Sequence, residues 1–316
     1  MNNVVFHENR LSETGTSVAL FDYAYYSREF LNINPIIVFP ENSNSNNECV
    51  EKYKKEFQIY HYKDKNEIQN FIDQNNVDYF YAIKFGINDN LYFKNCKNLI
   101  HVVFSCCDFH GDVYAFVSEW LSIKNTGIPF VPHMINLPNH DINLRQELGI
   151  PKDAIVMGRY GGKDTFDIDF VKQTIENTSN FYFLFANTPK FTNNKNCLFL
   201  DPILELNKKV EFINTCDAMI HARSYGETFG LAVLEFACKN KQIITYDNEE
   251  LQNSHPLGGR NHFLYLKDDC HKFKNKEDLL NIFDNFQKNN PFDTTRLNEQ
   301  FSPYNVMMKF KEVFYD

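Results

Sequence analysis

Short apolar runs alternate with stretches of helical period along the first half of the chain. Residues 4–6, 36–39, 79–83, 99–104 and 128–131 are strand-like, whereas residues 17–31, 48–55, 65–75 and 114–121 predict helices. Asn34 and Pro35 break the pattern between the first helix and the second strand. Alternation of this kind predicts a mainly parallel sheet covered by helices. Pro129, Pro132 and Pro138, with Asn136, Asn139 and His140, are the clearest punctuation in the chain and predict an inter-domain linker. The pattern then restarts with a helix over 143–148 capped by Gly149, followed by strands at 154–157, 181–186, 197–200, 218–221, 242–246 and 263–266 separated by helices. Residues 304–315 are helical again. The expected fold class is α/β, with two Rossmann-like doubly wound domains facing a central cleft. Ligands in such sheets bind outside the carboxyl ends of the strands.

A length of 316 residues fits two domains better than one, and 43% hydrophobic with 23% charged residues excludes collagen-like and wholly disordered chains. The net charge of -9 argues against a broad nucleic-acid-binding surface, which needs clustered Lys and Arg, and leaves a small molecule or a protein as partner. The eight cysteines form no CxxC pair and mostly sit in apolar runs, where a thiol acts as a small hydrophobe in a reducing compartment. The N-terminal residues reach a strand-like triplet at once, leaving no room for a signal segment, and no run approaches the roughly 18 apolar residues of a membrane span. The expectation is a soluble, cytoplasmic protein. The run of Asn and Ser over 42–47 is read as a surface loop.

Candidate chemistry is densest over residues 218–238. The segment reads as strand, loop and helix, with Thr228 as the expected cap of a helix starting near Phe229 and Gly230 leaving room for a phosphate at the helix N-terminus. From about Leu231 to Cys238 the helix is apolar on every face except at Glu235, and a lone buried carboxylate is costly unless something hydrogen-bonds it. Glu235 would lie about 9–10 Å along the axis from the helix start, a distance comparable to a diphosphate plus ribose. A ligand with phosphates at the helix N-terminus could then offer ribose hydroxyls to Glu235 and its other end to Glu227. The competing reading pairs Glu235 with a core Arg or Lys.

Ser224, Glu227, Phe229, Gly230, Leu231, Leu234 and Glu235 stand in the register of the E-x7-E motif, so the segment resembles that of retaining glycosyltransferases of the GT-B fold, as in glycosyltransferase family 4. The stretch Arg145, Glu147, Leu148, Gly149, Ile150, Pro151, followed by Gly158-Arg159, is similar to the same family's start of its second domain. The resemblance implies that Glu227 contacts donor-sugar hydroxyls. It further implies that Phe229, Gly230 and Leu231 meet the diphosphate beside Thr228, and that Glu235 holds the ribose. Arg159 and Lys163 would offset the charge of the leaving diphosphate in place of a metal. Gly15 and Thr16, in the turn that opens the first helix, occupy the position of a loop that approaches donor phosphates or acceptor, although an ordinary capped turn fits equally well. His110, after the 99–104 strand with Asp108, resembles a His near the transferred sugar, and a structural His is the alternative. His101 adjoins the same strand. No general base stands out.

The resemblance implies a GT-B protein with residues 1–137 as acceptor domain, joined by the helix 302–316, and residues 138–301 as donor domain. Its implied activity is transfer of a hexose from a nucleotide diphosphate sugar, UDP- or GDP-linked, to a hydroxyl acceptor on a glycan, lipid or protein-linked sugar. No cofactor or metal is expected, and peripheral membrane contact stays open. Alternatives are a non-catalytic nucleotide-sugar or glycan-binding module and a nucleic-acid-modifying glycosyltransferase, the latter disfavoured by the charge. Asp167-Ile168-Asp169 spells a D-x-D metal motif but is better explained by acidic residues opening a helix. Leu257-Gly258-Gly259-Arg260 is read as a plain turn.

Overall fold

A computed structural model describes residues 2–288 and 293–316. The chain divides into two compact units, residues 1–134 with 301–316 and residues 135–300. The first unit contains, in order, β1 (Asn2–His7), α1 (Gly15–Leu31), β2 (Ile33–Pro40), α2 (Asn47–Lys54), β3 (Gln58–Tyr62), α3 (Lys65–Asn75), β4 (Val77–Lys84), β5 (Lys97–Val102), β6 (Val113–Phe116) and α4 (Glu119–Lys124). Its six strands are parallel, in the order β3-β2-β1-β4-β5-β6. Val4, Val5 and Phe6 on β1 are all fully buried, as a central parallel strand with both faces covered requires. Helix α1 buries Leu20, Tyr23, Ala24 and Ser27, and ends at Asn32, whose left-handed φ of 54° lets its N–H reach the Ser27 carbonyl.

The second unit contains β7 (Ile155–Arg159), α5 (Asp169–Glu176), β8 (Phe181–Ala186), β9 (Cys197–Leu200), α6 (Leu206–Thr215), β10 (Ala218–His221), β11 (Gly226–Glu227), α7 (Leu231–Cys238), β12 (Gln242–Tyr246), α8 (Glu249–Ser254), β13 (Gly259–Arg260), α9 (Asn261–Leu266), β14 (His271–Phe273), α10 (Lys276–Asn285) and α11 (Arg296–Gln300). Six of these strands form a second parallel sheet, β14-β12-β10-β7-β8-β9, while β11 and β13 pair separately. The last helix, α12 (Pro303–Phe314), belongs to the first unit, where Phe310 stacks on Tyr23 with ring centres 5.1 Å apart. Ser302 caps it through the Asn305 N–H, with Pro303 in the first turn.

Four local expectations are corrected. Residues 114–121 are not one helix: the β-branched and aromatic run of β6 pairs with β5, and α4 starts only after Ser118 caps it. Residues 128–131 form no strand of their own, contributing a single bridge from Phe130 to Phe116. Residues 143–148 form no helix: 145–149 lie in turns, and the Arg145 guanidinium donates to the Ala154 carbonyl and pairs with Asp217 at 2.8 Å, tying the starts of β7 and β10 together. Residues 263–266 lie in α9, and the edge strand β14 follows them.

Each sheet reverses its order of winding once, between β1 and β4 in the first unit and between β7 and β10 in the second. At such a reversal the following loops diverge to opposite faces and open a crevice at the carboxyl ends of the strands. In the second unit, Arg159 ends β7 and His221 ends β10.

Candidate active site

The loop after β10 turns back through Gly226, at φ 64°, and runs as β11 beside β13, with Gly226 opposite Gly259 and Glu227 opposite Arg260. Gly258-Gly259 is therefore a brace for the Glu227 segment and not a plain turn; a Cβ on Gly259 would lie 2.5 Å from the Glu227 carbonyl oxygen. Helix α7 begins at Leu231, two residues later than the sequence pattern suggests, and its cap is Gly230 at φ 89° and ψ 52°, not Thr228. A side chain is excluded at Gly230 by conformation and by space, since a Cβ would sit 2.9 Å from the Tyr265 hydroxyl. The first N–H groups of α7 lack intrahelical acceptors and give this end of the helix partial positive charge.

Glu227 is held from both sides. One carboxylate oxygen is 3.1 Å from His221 Nε2 and the other accepts from Arg223 at 2.7 Å. Burial pushes this carboxyl up, but Arg223, the His221 hydrogen bond and charge, and His262 outweigh burial and hold it down to about 2. Glu227 is thus ionised throughout the physiological range. His262, fully buried with its ring centre 5.2 Å from that of His221, is kept well below the ordinary range by burial and then by His221.

Arg159 is almost wholly buried, and its guanidinium donates to Gly162 O and Thr165 Oγ1 at 2.6 Å each and to Thr188 Oγ1 at 2.5 Å. It therefore shapes the loop between β7 and α5 as well as charging the crevice. Burial lowers it to about 10, with Glu227 and Asp167 acting against burial and Arg223 with it, so it remains a cation at neutral pH. Lys163 lies exposed on the same loop. Asp167 accepts from the Ser224 N–H at 2.8 Å and from its hydroxyl at 2.6 Å, fastening this loop to the one after β10, while Asp169 opens α5 and pairs with Lys172.

Glu235 is 4% exposed and lies four residues into α7, about 6 Å along the axis by the helical rise, closer to the helix start than the earlier-starting frame read from the sequence implied. Its partners are Lys209 of α6, at 2.8 Å, and the Tyr160 hydroxyl. Burial and then the Glu235 charge raise the Tyr160 phenol well above its ordinary range, so it stays protonated and donates. This is the core pairing that stood as the alternative for Glu235, supplied by a lysine and a tyrosine that no local motif announces.

The remaining candidates belong to the first unit. His110 has Nε2 3.3 Å from the Lys84 ammonium, which can only donate, so its Nδ1 carries the proton and donates to the Asp108 carbonyl at 2.7 Å. Lys84 in turn donates to Asp89 at 2.6 Å. His101 is a core residue bonded to the Tyr81 hydroxyl and the Val131 carbonyl, and burial lowers it to about 4. Gly15 and Thr16 form the first turn of α1, beside linked hydroxyls of Ser12 and Thr14.

Glu8, just beyond β1, was not singled out from the sequence, where one acid after an apolar triplet carries no signal. It is buried, its Oε1 accepts from the Asn9 N–H at 3.1 Å and its Oε2 has no hydrogen-bond partner. Burial raises its carboxyl to about 7 against the opposing pull of Thr16, Asn9 and Arg10. Nearby Tyr53 and Tyr81 are kept neutral, both raised first by burial. A carboxyl that holds its proton more tightly when folded favours the fold fully below the unfolded value near 4.5, and that contribution is lost as pH rises through about 7. Glu8→Gln is expected to stabilise the protein at pH 8 by on the order of 2–3 kcal/mol and to leave it little changed at pH 5. Urea titrations at both pH values check this; an equal difference at the two would contradict it.

No family model matches the chain, and no curated protein sequence matches it. Solved structures do match over their full length. Anabaena HepE in complex with UDP-glucose superposes with a TM-score of 0.74 at 11% identity, covering 99% of both chains. A glycosyltransferase from Rickettsia africae gives 0.65 at 13% identity, covering 100% of this chain and 99% of that one. Sucrose-phosphate synthase from Thermosynechococcus elongatus gives 0.68 at 9% identity, covering 99% and 95%. With its two parallel six-stranded sheets, the chain has the GT-B fold of these glycosyltransferases. No helix among the described residues is long and apolar enough to cross a membrane.

Proposed function

We propose that the protein is a retaining glycosyltransferase that moves a hexose from a nucleotide diphosphate sugar to a hydroxyl acceptor. The observation that supports this reading is that Arg159 ends β7, while Glu227 and then the N-terminus of α7 follow β10, the two strands at the winding reversal of the second sheet, with the charges of Arg159 and Glu227 acting on each other. An ionised Glu227, braced by His221 and Arg223, accepts hydrogen bonds from donor-sugar hydroxyls. The N–H groups at Gly230 and Leu231 receive the diphosphate, and Glu235 uses its remaining acceptor capacity on ribose hydroxyls. That HepE was solved with UDP-glucose supports a UDP-linked donor.

In the reaction, the bond between the anomeric carbon and the phosphate oxygen breaks, and its electron pair leaves with the diphosphate. The acceptor oxygen bonds to the same face of the anomeric carbon, and its proton passes to the departing phosphate oxygen. Arg159 and Lys163 offset the charge that develops there, without reorganising. Because the cations are side chains and Asp167 is committed to Ser224, activity should survive a chelator. Proton NMR of the first product formed from a UDP-α-hexose, in EDTA, is expected to show the α-anomer. A β-anomer, or activity abolished by EDTA and restored by manganese, would overturn the reading.

A further inference from the structure

The segment that would meet the diphosphate is held in place from one neighbouring element. Asn261 Nδ2 of α9 donates to the Phe229 carbonyl at 3.2 Å, and the Tyr265 hydroxyl, one turn later on the same face, donates to the Gly230 carbonyl at 2.9 Å. Both side chains are buried, at 4% exposure. The Gly230 carbonyl also accepts the Leu234 N–H at 3.0 Å, so its direction is fixed by two donors.

A trans peptide is planar, and its C=O and following N–H point in opposite directions. Pinning the Phe229 carbonyl towards α9 therefore turns the Gly230 N–H away from α9, and pinning the Gly230 carbonyl does the same for the Leu231 N–H. Gly230 needs this support because its left-handed conformation at the mouth of α7 would otherwise be one of several open to glycine. The support is itself anchored. Arg260, at the start of α9, is fixed by Asp247 at 2.6 Å and Gln252 at 2.8 Å, and Arg296 donates to the Tyr265 carbonyl at 2.9 Å. Gly259, just before, donates to the Tyr225 carbonyl at 3.0 Å. One continuous stretch, 259–265, thus backs the segment 225–230 along its length.

We infer that Asn261 and Tyr265 are positioning residues for a diphosphate, preorganising the Gly230 and Leu231 N–H groups as its receptors; the inference rests on the nucleotide-sugar reading above. Donors already aimed at an anion cost no reordering when it binds, so removing a brace should be felt by the phosphates and not by the nucleoside.

The test compares UDP, GDP, ADP and TDP each with its nucleoside, by calorimetry on the whole protein and on Tyr265→Phe and Asn261→Ser. Tyr265→Phe keeps the ring and its packing and loses only the hydroxyl. Diphosphate affinity is expected to fall about 2–13-fold in either variant, the scale of one lost neutral hydrogen bond, with nucleoside affinity unchanged. Equal weakening of nucleotide and nucleoside would mean that α9 has a structural role only, and unchanged diphosphate affinity in both variants would remove the positioning role. If the unaltered protein binds none of the four diphosphates, the nucleotide-sugar reading falls and this inference with it; binding that the variants leave intact overturns the inference alone.

Discussion

Replacement of Glu227 by alanine is expected to lower turnover by about 10²–10³-fold. The size follows from two losses: the charge-assisted hydrogen bonds to sugar hydroxyls, about 1.5–3 kcal/mol, and the partner of the largely buried Arg223 and His221. Glu227→Gln keeps the shape but not the charge that Arg223 needs, so it should recover little. Because the carboxyl is held down to about 2, Glu227 stays ionised across the working range. Titration of Glu227 therefore gives no limb of the pH–rate profile between pH 5 and 9. A limb in that range that vanishes in Glu227→Gln would contradict the electrostatics described here. The ion pair also favours the fold: a depressed carboxyl contributes stability above its unfolded value near 4.5 and loses it as pH falls through about 2.

Arg159→Ala is expected to cost about 3–4 kcal/mol of transition-state stabilisation, again about 10²–10³-fold in kcat, while KM for the donor rises less than tenfold. The split arises because charge builds on the diphosphate only as the glycosidic bond breaks. Arg159 also satisfies the Gly162 carbonyl and the hydroxyls of Thr165 and Thr188, so the variant should lose thermal stability as well. Arg159→Lys keeps the charge in part and not the fork of hydrogen bonds; it separates the two effects if kcat recovers more than stability does. Steady-state kinetics and thermal unfolding of both variants decide this, and a wild-type kcat for Arg159→Ala would take the residue out of the reaction.

The fold was readable because parallel strands buried on both faces announce themselves as unbroken apolar runs, as at Val4, Val5 and Phe6 or at Phe181–Ala186. Where short amphipathic elements meet turns, the pattern misled. The run 263–266 is apolar enough for either state, and it is helical because Asn261, His262 and Tyr265 of the same helix are drawn into the core beside the Glu227 loop. Strand β3 was not anticipated, since its Tyr and His positions do not stand out against a chain rich in aromatics.

The candidate site was readable where its chemistry is contiguous, from Ser224 to Glu235, and obscure where folding supplies the partner. The start of α7 is set by the left-handed Gly230, whose carbonyl accepts from Tyr265, 35 residues away. The partners of Glu235 come from positions 75 residues earlier, Tyr160, and 26 residues earlier, Lys209. Glu8 looks like any surface acid in the sequence; it is buried only in the folded chain, which brings Thr16, Tyr53 and Tyr81 near it.

In the proposed function, the winding reversal of the second sheet binds a nucleotide diphosphate sugar and labilises its anomeric bond. The most direct measurement is nucleotide release from UDP-, GDP-, ADP- and TDP-hexoses without added acceptor, with thermal shift on the same samples and Glu227→Ala alongside. One donor is expected to raise the melting temperature and to be slowly hydrolysed, and Glu227→Ala to abolish the hydrolysis. No shift and no release with any of the four would contradict it.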